Sequence, residues 1–387
     1  MIDQRVERLR RILVSVSGVP TTSGNRVDVL RNGSQIFPAM LGAIEDATNT
    51  IDFLTFVYWT GSIGSQFANA LGRAADRGVR VRVLLDGVGA KPVDRRLVHV
   101  MEDAGVDVRW FRTPNPRHPL QANHRTHRKV LICDERVGFT GGVGIADEWM
   151  GDGHTDGAWR DTHVRLAGPA VNGLRAAFLD NWIETEPQLF DPEIDEFPDP
   201  GTPGDVDVQV VMGTAEPGWN SISMTVRAIV DLATERIRIT TAYFVPDDDL
   251  TGRLTAAAER GVDVQLLIPG PNADKRFVQL AGEVRYRELL DAGVEVWNYQ
   301  PSMLHAKVMT VDGAVGIVGS ANFNHRSTSL DDEVDLVVFD ERFVAELDAD
   351  FDTDLTRSVE IDLSRWGRRS LSQRVLERSM HQIRPWV

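Results

Sequence analysis

The sequence has almost no cysteine and no long apolar run. Cys133 is the one cysteine among 387 residues, so the chain forms no intramolecular disulfide and is compatible with a reducing compartment. No apolar stretch approaches the roughly 20 residues that a membrane-spanning helix needs. The arginine-rich first residues lack the apolar core and the cleavage site of a signal peptide. We therefore expect a globular protein that resides in the cytoplasm.

An excess of positive charge is also missing, since the formal net charge of the chain is -15. Binding to nucleic acid is driven largely by the neutralisation of phosphates, so this charge argues against a nucleic-acid partner. Hydrophobic residues make up 42% and charged residues 26% of the chain, as in ordinary globular proteins. This composition excludes the disordered and fibrous classes, and the length predicts two or three domains.

One pattern of polar and small residues does occur, and it occurs twice. Each copy reads His, any residue, Lys, four residues, Asp, six residues, and then two small residues. The members are His127, Lys129, Asp134, Gly141 and Gly142 in the first copy, and His305, Lys307, Asp312, Gly319 and Ser320 in the second. A single His-x-Lys is weak evidence, because residues two apart on a strand share a face and are often only solvent-exposed. Two matched copies indicate a functional site.

The repetition extends to the segments around the motif. The matching pairs are residues 77–85 with 260–268, and residues 104–108 with 292–296. The offsets between the paired segments differ, which indicates duplication of one unit with later insertions and excludes a solenoid of fixed period. Helical patterns over 66–77 and 250–260 precede apolar strands, so each unit is expected to be an α/β layered domain.

The chain divides into five segments on this basis. They are an N-terminal helical segment at 1–24, a first domain at 25–190, an acidic, proline-rich linker at 191–205, a second domain at 206–360 and a basic tail at 361–387. The tail carries six arginines against two acidic residues, with apolar residues at helical spacing between two tryptophans. Two interpretations of the tail remain open. It forms an amphipathic helix on an anionic membrane surface, or it forms a terminal helix that docks on the protein's own core.

Two imidazoles and two ammonium groups in one pocket would supply the groups that displacement at a phosphodiester requires. One His would attack phosphorus, the other would protonate the leaving alkoxide and then activate the acceptor, and the lysines would bind the non-bridging oxygens. The small residues after each Asp would let the backbone approach the ligand and offer free N–H donors. Paired histidines also suggest a metal, but a Lys two residues from each His would repel a divalent cation. We therefore expect neither a metal nor another cofactor.

With these features the sequence resembles the phospholipase D superfamily, whose members carry two such HKD motifs, over roughly residues 25–336. Its flanking residues are similar to those of bacterial cardiolipin synthases at 123–129, 159–164, 243–247 and 319–327. The resemblance implies an α/β fold of two phospholipase D-like α/β/α sandwich halves. The halves would be related by a pseudo-two-fold axis, with the active site at their interface.

The resemblance also implies roles for individual residues. The catalytic set would be His127, Lys129 and Asp134 from the first copy, and His305, Lys307 and Asp312 from the second. Within it, His127 would be the nucleophile and His305 the general acid and base, whereas the two aspartates would brace loops. The lysines would bind phosphate, and the substrate would also meet Asn322, Gly141, Gly142 and Ser320. Asp161 and Glu333 would each orient one His across the interface.

Two positions depart from the family pattern. Gly144 stands where the family commonly has an Asn that corresponds to Asn322, and this removes one donor to phosphate. Asp331 replaces another common Asn, which is a milder change. The first copy of the motif has therefore diverged further from the family pattern than the second.

The activity that the resemblance implies is phosphatidyl transfer, and in particular the synthesis of cardiolipin from phosphatidylglycerol. Hydrolysis of phospholipids through the same intermediate is the alternative, because the shape and hydration of a pocket select the acceptor. Cleavage of nucleic acid is disfavoured by the acidic charge, and a binding-only role by the intact His and Lys pairs. The expected partners are phospholipids and the anionic inner face of the cell membrane, where the protein would associate peripherally, with no nucleic acid and no obligate protein partner.

Overall fold

Helices and strands alternate along the described chain. The computed structural model describes residues 4–114, 123–155, 157–185, 198–214 and 220–363. The N-terminal helix and the first half comprise α1 (Gln4–Ser17), β1 (Thr22–Arg31), α2 (Asn32–Asp46), β2 (Thr50–Thr55), α3 (Ser62–Asp76), β3 (Arg80–Asp86), α4 (Arg95–Asp103), β4 (Asp107–Phe111), β5 (Arg125–Thr126), β6 (Val130–Cys133), β7 (Val137–Gly141), β8 (Thr162–Ala167) and α5 (Val171–Trp182). The second half comprises β9 (Val206–Gly213), α6 (Ser221–Leu232), β10 (Arg236–Thr241), α7 (Asp248–Glu259), β11 (Asp263–Pro269), α8 (Arg276–Asp291), β12 (Glu295–Tyr299), β13 (Lys307–Val311), β14 (Val315–Gly319), α9 (His325–Ser329), β15 (Asp331–Phe339), α10 (Glu341–Leu355) and β16 (Ser358–Glu360).

Apolar, often β-branched residues form the central strands of each half. All six residues of β2 and all five residues of β13 are buried, as expected for strands that are covered on both faces. Side-chain oxygens accept a backbone N–H at the start of several helices, including those of Asp247 at α7 and Asp340 at α10. The two helices predicted from periodicity are α3 and α7, which begin four and two residues earlier than predicted.

The strands of both halves form one sheet within the described residues. Their order is β16-β12-β11-β10-β13-β14-β15-β9-β1-β8-β7-β6-β2-β3-β4, and β5 pairs with β15 outside this path. The order repeats on the two sides of the junction between β9 and β1. The run β10-β11-β12 is parallel in the second half, as the run β2-β3-β4 is in the first. The predicted α/β fold of two related halves is confirmed.

Side chains from both halves share one apolar core at the junction. Its buried members include Leu54, Val130 and Val164 from the first half, and Val308, Val318 and Leu336 from the second. Phe178 of α5 and Phe343 of α10 are buried in the same core. Burying one such side chain stabilises the fold by about 1.5–3 kcal/mol relative to leaving it exposed. The core therefore fixes the strands that carry the two motifs relative to each other.

The N-terminal helix lies on the second half, although it precedes the first in sequence. Leu13 of α1 is fully buried in the core of the second half, and α1 packs against α6. The linker predicted at 191–205 is described from residue 198, and residues 198–205 have no regular structure. The basic tail predicted at 361–387 lies outside the described residues from 364 onwards. Among the described helices, none has both the length and the apolar composition that a bilayer crossing requires.

Candidate active site

The two motif histidines lie at the start of equivalent strands and are held by the opposite half. His127 precedes β6, and its backbone N–H donates to the carbonyl of Asp332 in the second half at 2.8 Å. His305 precedes β13, and its backbone N–H donates to the carbonyl of Arg160 in the first half at 2.7 Å. Short cross-half pairings support both segments, between β5 and β15 and between Arg160 and Leu304. Both motifs therefore face one site at the junction.

Each imidazole is bound to a buried carboxylate from the other half. His127 Nδ1 lies 2.9 Å from Glu333 Oε1, and His305 Nδ1 lies 2.8 Å from Asp161 Oδ2. Neither carboxylate has any exposed surface. A carboxylate at Nδ1 favours the tautomer in which Nδ1 carries the proton and Nε2 keeps its lone pair. In both rings, Nε2 is therefore the nitrogen that can react.

The electrostatic settings of the two carboxylates differ. Burial acts to raise the pKa of Asp161, but hydrogen bonds from His305 and Trp149 and the charge of Lys307 outweigh it and lower that pKa. The indole N–H of Trp149 donates to Asp161 Oδ2 at 2.8 Å. For Glu333, burial dominates and raises the pKa, although the charge of Lys129 opposes it. His305 therefore has the more firmly ionised partner.

The motif lysines are buried beside the histidines. Lys129 Nζ donates to the carbonyl of His127 at 2.6 Å, and Lys307 Nζ donates to the carbonyl of His305. Neither ammonium lies within ion-pair distance of a carboxylate in the described part of the chain. Burial lowers the pKa of Lys129 to about 8 and that of Lys307 to about 7. Two buried cations without a direct counter-ion favour the binding of an anion between them.

Both imidazoles are neutral in this environment. Burial, followed by the charge of Lys129, lowers the pKa of His127. Burial, followed by the charge of Lys307, lowers the pKa of His305, although its bond to Asp161 acts in the opposite direction. A neutral ring whose Nε2 keeps its lone pair is the form that can attack an electrophile or accept a proton. In His305 this nitrogen lies 3.1 Å from Lys307 Nζ.

Aromatic rings line the site, and sequence analysis did not identify all of them. The ring of Phe56 lies 5.2 Å from that of His127. The rings of Trp149 and Trp159 each lie 5.2 Å from that of His305, and the ring of Tyr243 lies 6.4 Å from it. Trp159 and Tyr243 belong to segments that resemble cardiolipin synthases, whereas Phe56 and Trp149 carried no signal. Their roles depend on contacts between residues that are far apart in sequence.

The motif aspartates lie at the other end of the motif strands and bind backbone. Asp134 accepts N–H groups from residues 48–50 at 2.7–3.1 Å, and Asp312 accepts those of residues 234–236 at 2.8–2.9 Å. Both have a left-handed backbone, with φ of 51° and 52°, which aspartate tolerates better than most residues. The resemblance implies a bracing role for both, and in the structure each binds the backbone at the start of a neighbouring strand, β2 or β10.

The small residues after each motif make room for carboxylates. A Cβ at Gly142 would lie 2.2 Å from Asp161 Oδ1, and one at Gly319 would lie 2.1 Å from Asp335 Oδ1. Gly141 has a φ of 152°, and a Cβ there would contact the backbone of residues 162–163. The groups that lie close to these small residues in the structure are the protein's own carboxylates and backbone.

The N–H groups of this segment are not free donors. The N–H of Gly142 donates to the carbonyl of Thr162 at 3.2 Å, and that of Ser320 donates to the carbonyl of Val334 at 3.0 Å. This corrects the expectation of free N–H donors, because the neighbouring strands occupy them. The Ser320 hydroxyl donates to Glu333, and the Ser320 carbonyl lies 3.1 Å from His127 Nδ1.

Asn322 and Gly144 occupy corresponding positions in the two copies, and the space around them differs. Asn322 is buried, and its Oδ1 has no hydrogen-bond partner among the described residues. A Cβ at Gly144 would lie 2.6 Å from Val57 Cβ and 3.4 Å from the Trp149 ring. An asparagine therefore does not fit in the first copy unless Val57 moves. The second departure, Asp331, accepts two hydrogen bonds of 2.9 Å from Arg326.

The described residues contain no cluster of side chains suited to a metal ion. No group of three or more His, Cys, Asp and Glu side chains has a metal-binding arrangement there. The polar groups of the site are two neutral imidazoles, two lysines, two carboxylates and one amide. Chemically, this set can attack phosphorus, protonate a leaving oxygen and bind the non-bridging oxygens.

Comparisons with known proteins agree with the fold and with the presence of two motif-bearing halves. The family model described as "Cardiolipin synthase, PLD-like domain" matches residues 40–151 and 226–355, so each match contains one motif. Cardiolipin synthase 1 of Bacillus cereus is 32% identical over 392 residues, covering 99% of this chain and 77% of that protein. Cardiolipin synthase 2 of Bacillus anthracis is 35% identical over 358 residues, covering 92% and 70%. A cardiolipin synthase of Staphylococcus aureus is 32% identical over 352 residues, covering 90% and 71%.

A solved structure supports the fold over nearly the full length of this chain. The crystal structure of phosphatidylserine synthase from Haemophilus influenzae matches with a TM-score of 0.72 and covers 99% of this chain and 100% of that one. The two sequences are only 12% identical. The two proteins therefore share the arrangement of two halves, although most of their residues differ.

Proposed function

This chain belongs to the family of cardiolipin synthases with phospholipase D-like domains, and from that premise we propose that it is a phosphatidyltransferase that makes cardiolipin. A phosphatidyl group passes from a phospholipid donor to a histidine and then to a hydroxyl of phosphatidylglycerol. The observation that carries the proposal is the crosswise pair of dyads, in which each reactive imidazole is bound to a buried carboxylate of the other half.

His127 acts as the nucleophile. Its ring is neutral because burial and the nearby lysines lower its pKa, and Glu333 fixes Nδ1–H so that Nε2 presents its lone pair. Nε2 attacks phosphorus, the bond to the leaving oxygen breaks, and a phosphohistidine forms. When phosphatidylglycerol is the donor, the leaving group is glycerol.

His305 acts as the general acid and then as the general base. The ionised Asp161 stabilises a positive charge on this ring, which an acid requires. Burial and then the charge of Lys307 lower the pKa of His305, and the anionic phosphodiester offsets the second of these causes, so substrate binding favours protonation of the ring. His305 gives its proton to the leaving alkoxide and then accepts one from the hydroxyl of the acceptor. The acceptor oxygen attacks phosphorus, the bond from phosphorus to His127 Nε2 breaks, and the His127 imidazole is restored.

Lys129, Lys307 and Asn322 bind the non-bridging phosphate oxygens. The two ammonium groups are buried without a direct carboxylate partner, and the buried Asn322 side chain carries an amide NH2 group that can donate to the same oxygens. The buried lysine ammonium groups therefore stabilise the negative charge on the phosphoryl group. Such electrostatic interactions are strongest where little water is present. Asp161 and Glu333 are positioning residues. Gly142 leaves room for Asp161, and the Ser320 hydroxyl donates to Glu333.

The substrates place the protein at a membrane. Phosphatidylglycerol is the donor and the acceptor in this proposal, and it is anionic. We propose peripheral contact with the anionic inner face of the cell membrane, for which the basic composition of residues 361–387 provides an electrostatic attraction.

Product identification tests the proposal. Vesicles or mixed micelles of labelled phosphatidylglycerol are incubated with the protein, and lipids are identified by mass spectrometry. We expect cardiolipin and free glycerol from the wild type, and a loss of at least about 10³-fold in His127→Ala and His305→Ala, because either group is required for both steps. Phosphatidic acid without cardiolipin would show hydrolysis instead of transfer and contradict the proposal.

A further inference from the structure

Lysine is rare in this chain, and three of its lysines lie at or beside the site. Of 42 basic residues, four are lysines, namely Lys91, Lys129, Lys275 and Lys307. Lys129 and Lys307 belong to the motifs. Lys275 belongs to neither motif and lies in the turn between β11 and α8, directly before α8 begins.

Lys275 reaches the wall of the site through Tyr243. Its Nζ lies 5.1 Å from the centroid of the Tyr243 ring, and that ring lies 6.4 Å edge-on from the ring of His305. One aromatic ring thus separates the ammonium from the proposed acid and base. After burial and the motif lysines, the charge of Lys275 is a further cause that lowers the pKa of His127, in agreement with a position facing the site.

The turn that carries Lys275 is fixed to the site. The Tyr243 hydroxyl donates to both carboxylate oxygens of Asp274, at 2.9 and 2.8 Å. Val278 and Ala281 of α8 are buried in a cluster with Val245, against which Tyr243 packs. The backbone that carries Lys275 is therefore positioned before a ligand arrives, which lowers the entropic cost of binding.

Lys275 is also uncommitted electrostatically. In the described part of the chain, no carboxylate lies within ion-pair distance of its Nζ, and its one close partner is the face of a ring. Two other cations at this rim are engaged, because Arg326 binds Asp331 at 2.9 Å and Arg276 lies 3.7 Å from Glu283. A cation on an aromatic face keeps its remaining N–H donors for an anion.

We infer that Lys275 binds the phosphodiester of the acceptor phospholipid, and so forms a second phosphate subsite beside the one in which transfer occurs. The inference rests on the proposed function. The acceptor carries its own phosphodiester on the glycerol whose free hydroxyl attacks, and the product holds two phosphates joined by that glycerol. Water and free glycerol lack the second phosphate. A cation that binds it therefore selects phosphatidylglycerol as acceptor without touching the reacting atoms.

Two acceptors for the same intermediate test the subsite. Mixed micelles of phosphatidylglycerol are supplied with labelled glycerol, so that cardiolipin reports transfer to a phosphate-bearing acceptor and labelled phosphatidylglycerol reports transfer to a neutral one. In Lys275→Met we expect cardiolipin formation to fall about tenfold or more, the effect of losing one charge-assisted hydrogen bond. Exchange with labelled glycerol stays within about twofold of wild type, which also shows that the variant is folded.

Two further variants test whether the effect depends on positive charge at residue 275 in particular. Lys275→Arg keeps the charge, and we expect it to restore most of the cardiolipin formation. Arg276→Gln removes the neighbouring exposed cation, and we expect the partition between acceptors to match that of the wild type. The apparent KM for phosphatidylglycerol as acceptor should rise in Lys275→Met, with little change in the kcat of glycerol exchange.

Other outcomes overturn the inference in distinguishable ways. An equal fall of both reactions in Lys275→Met would assign the residue to donor or micelle binding and reject an acceptor subsite. An unchanged partition, with cardiolipin still formed by the wild type, would reject the subsite alone. Glycerol exchange without any cardiolipin from the wild type would reject the proposed function, and the acceptor subsite with it.

Discussion

The motif lysines are buried without ion-pair partners, and their charge depends on pH. Burial lowers the pKa of Lys129 to about 8 and that of Lys307 to about 7. Both pKa values lie below the ordinary value, so each lysine loses its charge as pH rises through this range. A bound phosphodiester favours the charged form and raises both pKa values.

The pH dependence of the reaction rate should show that a bound phosphodiester raises the pKa values of the motif lysines. We expect kcat/KM, which reports the free enzyme, to fall as pH rises through about 7–8. The corresponding fall in kcat, which reports the enzyme with bound substrate, should occur at higher pH. Initial rates in mixed micelles at several pH values measure both, and the unfolding midpoint at each pH separates titration from denaturation. Coincident basic limbs in the two profiles would contradict the assignment of these lysines to substrate phosphate.

Sequence patterns identify residues that share a motif but not those that meet only in space. The spacing identified His127 and His305 and their lysines, and the resemblance added Asp161 and Glu333. Neither the spacing nor the resemblance identified Phe56 and Trp149. A ring that packs on a histidine from a distant segment leaves no periodic signal in the sequence. The N–H groups of Gly142 and Ser320 were misjudged for the same reason, since the strands that occupy them are distant in sequence.

The segment that delivers His127 is a short strand held by a buried ion pair. Arg125 of β5 donates to Asp86 at 2.8–3.2 Å and to the carbonyls of Phe111 and Arg112. Arg125 and Asp86 are both buried. On its other side, β5 pairs with β15 of the second half. The ion pair therefore ties the edge of the first half to the position of His127.

Removing one partner of this pair should damage both stability and rate. Arg125→Met leaves Asp86 as an uncompensated buried charge, and we expect a loss of about 3–5 kcal/mol in the free energy of unfolding. Arg125→Met with Asp86→Leu should recover part of that loss. Urea denaturation measures the stability, and the rate of the folded fraction shows whether His127 has moved.

A second buried pair provides the control. Arg82 and Asp52 form a bidentate pair at 2.7 and 2.8 Å between β2 and β3, whereas Arg125 belongs to β5. Arg82→Met should cost similar stability but leave the kcat of the folded fraction unchanged. Equal kcat values for Arg125→Met and Arg82→Met would show that the pair at β5 has no positioning role.

Elements were easier to predict than the way in which they are joined. Helices α3 and α7 and the motif strands follow from local apolar periodicity, which a single sequence displays. The pairing of β5 with β15 joins residues about 200 positions apart, and that of β1 with β9 joins segments on the two sides of the linker. Such pairings depend on packing of the whole molecule, and no local pattern specifies them.

At the scale of the whole molecule, charge sets how the protein meets its substrates. A net charge of -15 repels an anionic bilayer, whereas residues 361–387 carry six of the arginines. We expect deletion of 361–387 to reduce sedimentation with vesicles that contain phosphatidylglycerol, and added salt to weaken binding of the full chain. Retained glycerol exchange in detergent micelles would show that the shortened chain is folded. Unchanged vesicle binding would favour the other interpretation, a tail docked on the protein itself.

The exchange of carboxylates between the halves limits how this duplicated gene can evolve. His127 depends on a glutamate and His305 on an aspartate, and each acid is encoded in the other copy. Two first halves would bring aspartates to both histidines, and two second halves would bring glutamates to both. The two copies are thus complementary, because each supplies the acid that binds the histidine of the other. A substitution at either acid is selected for its effect on a histidine encoded in the other copy.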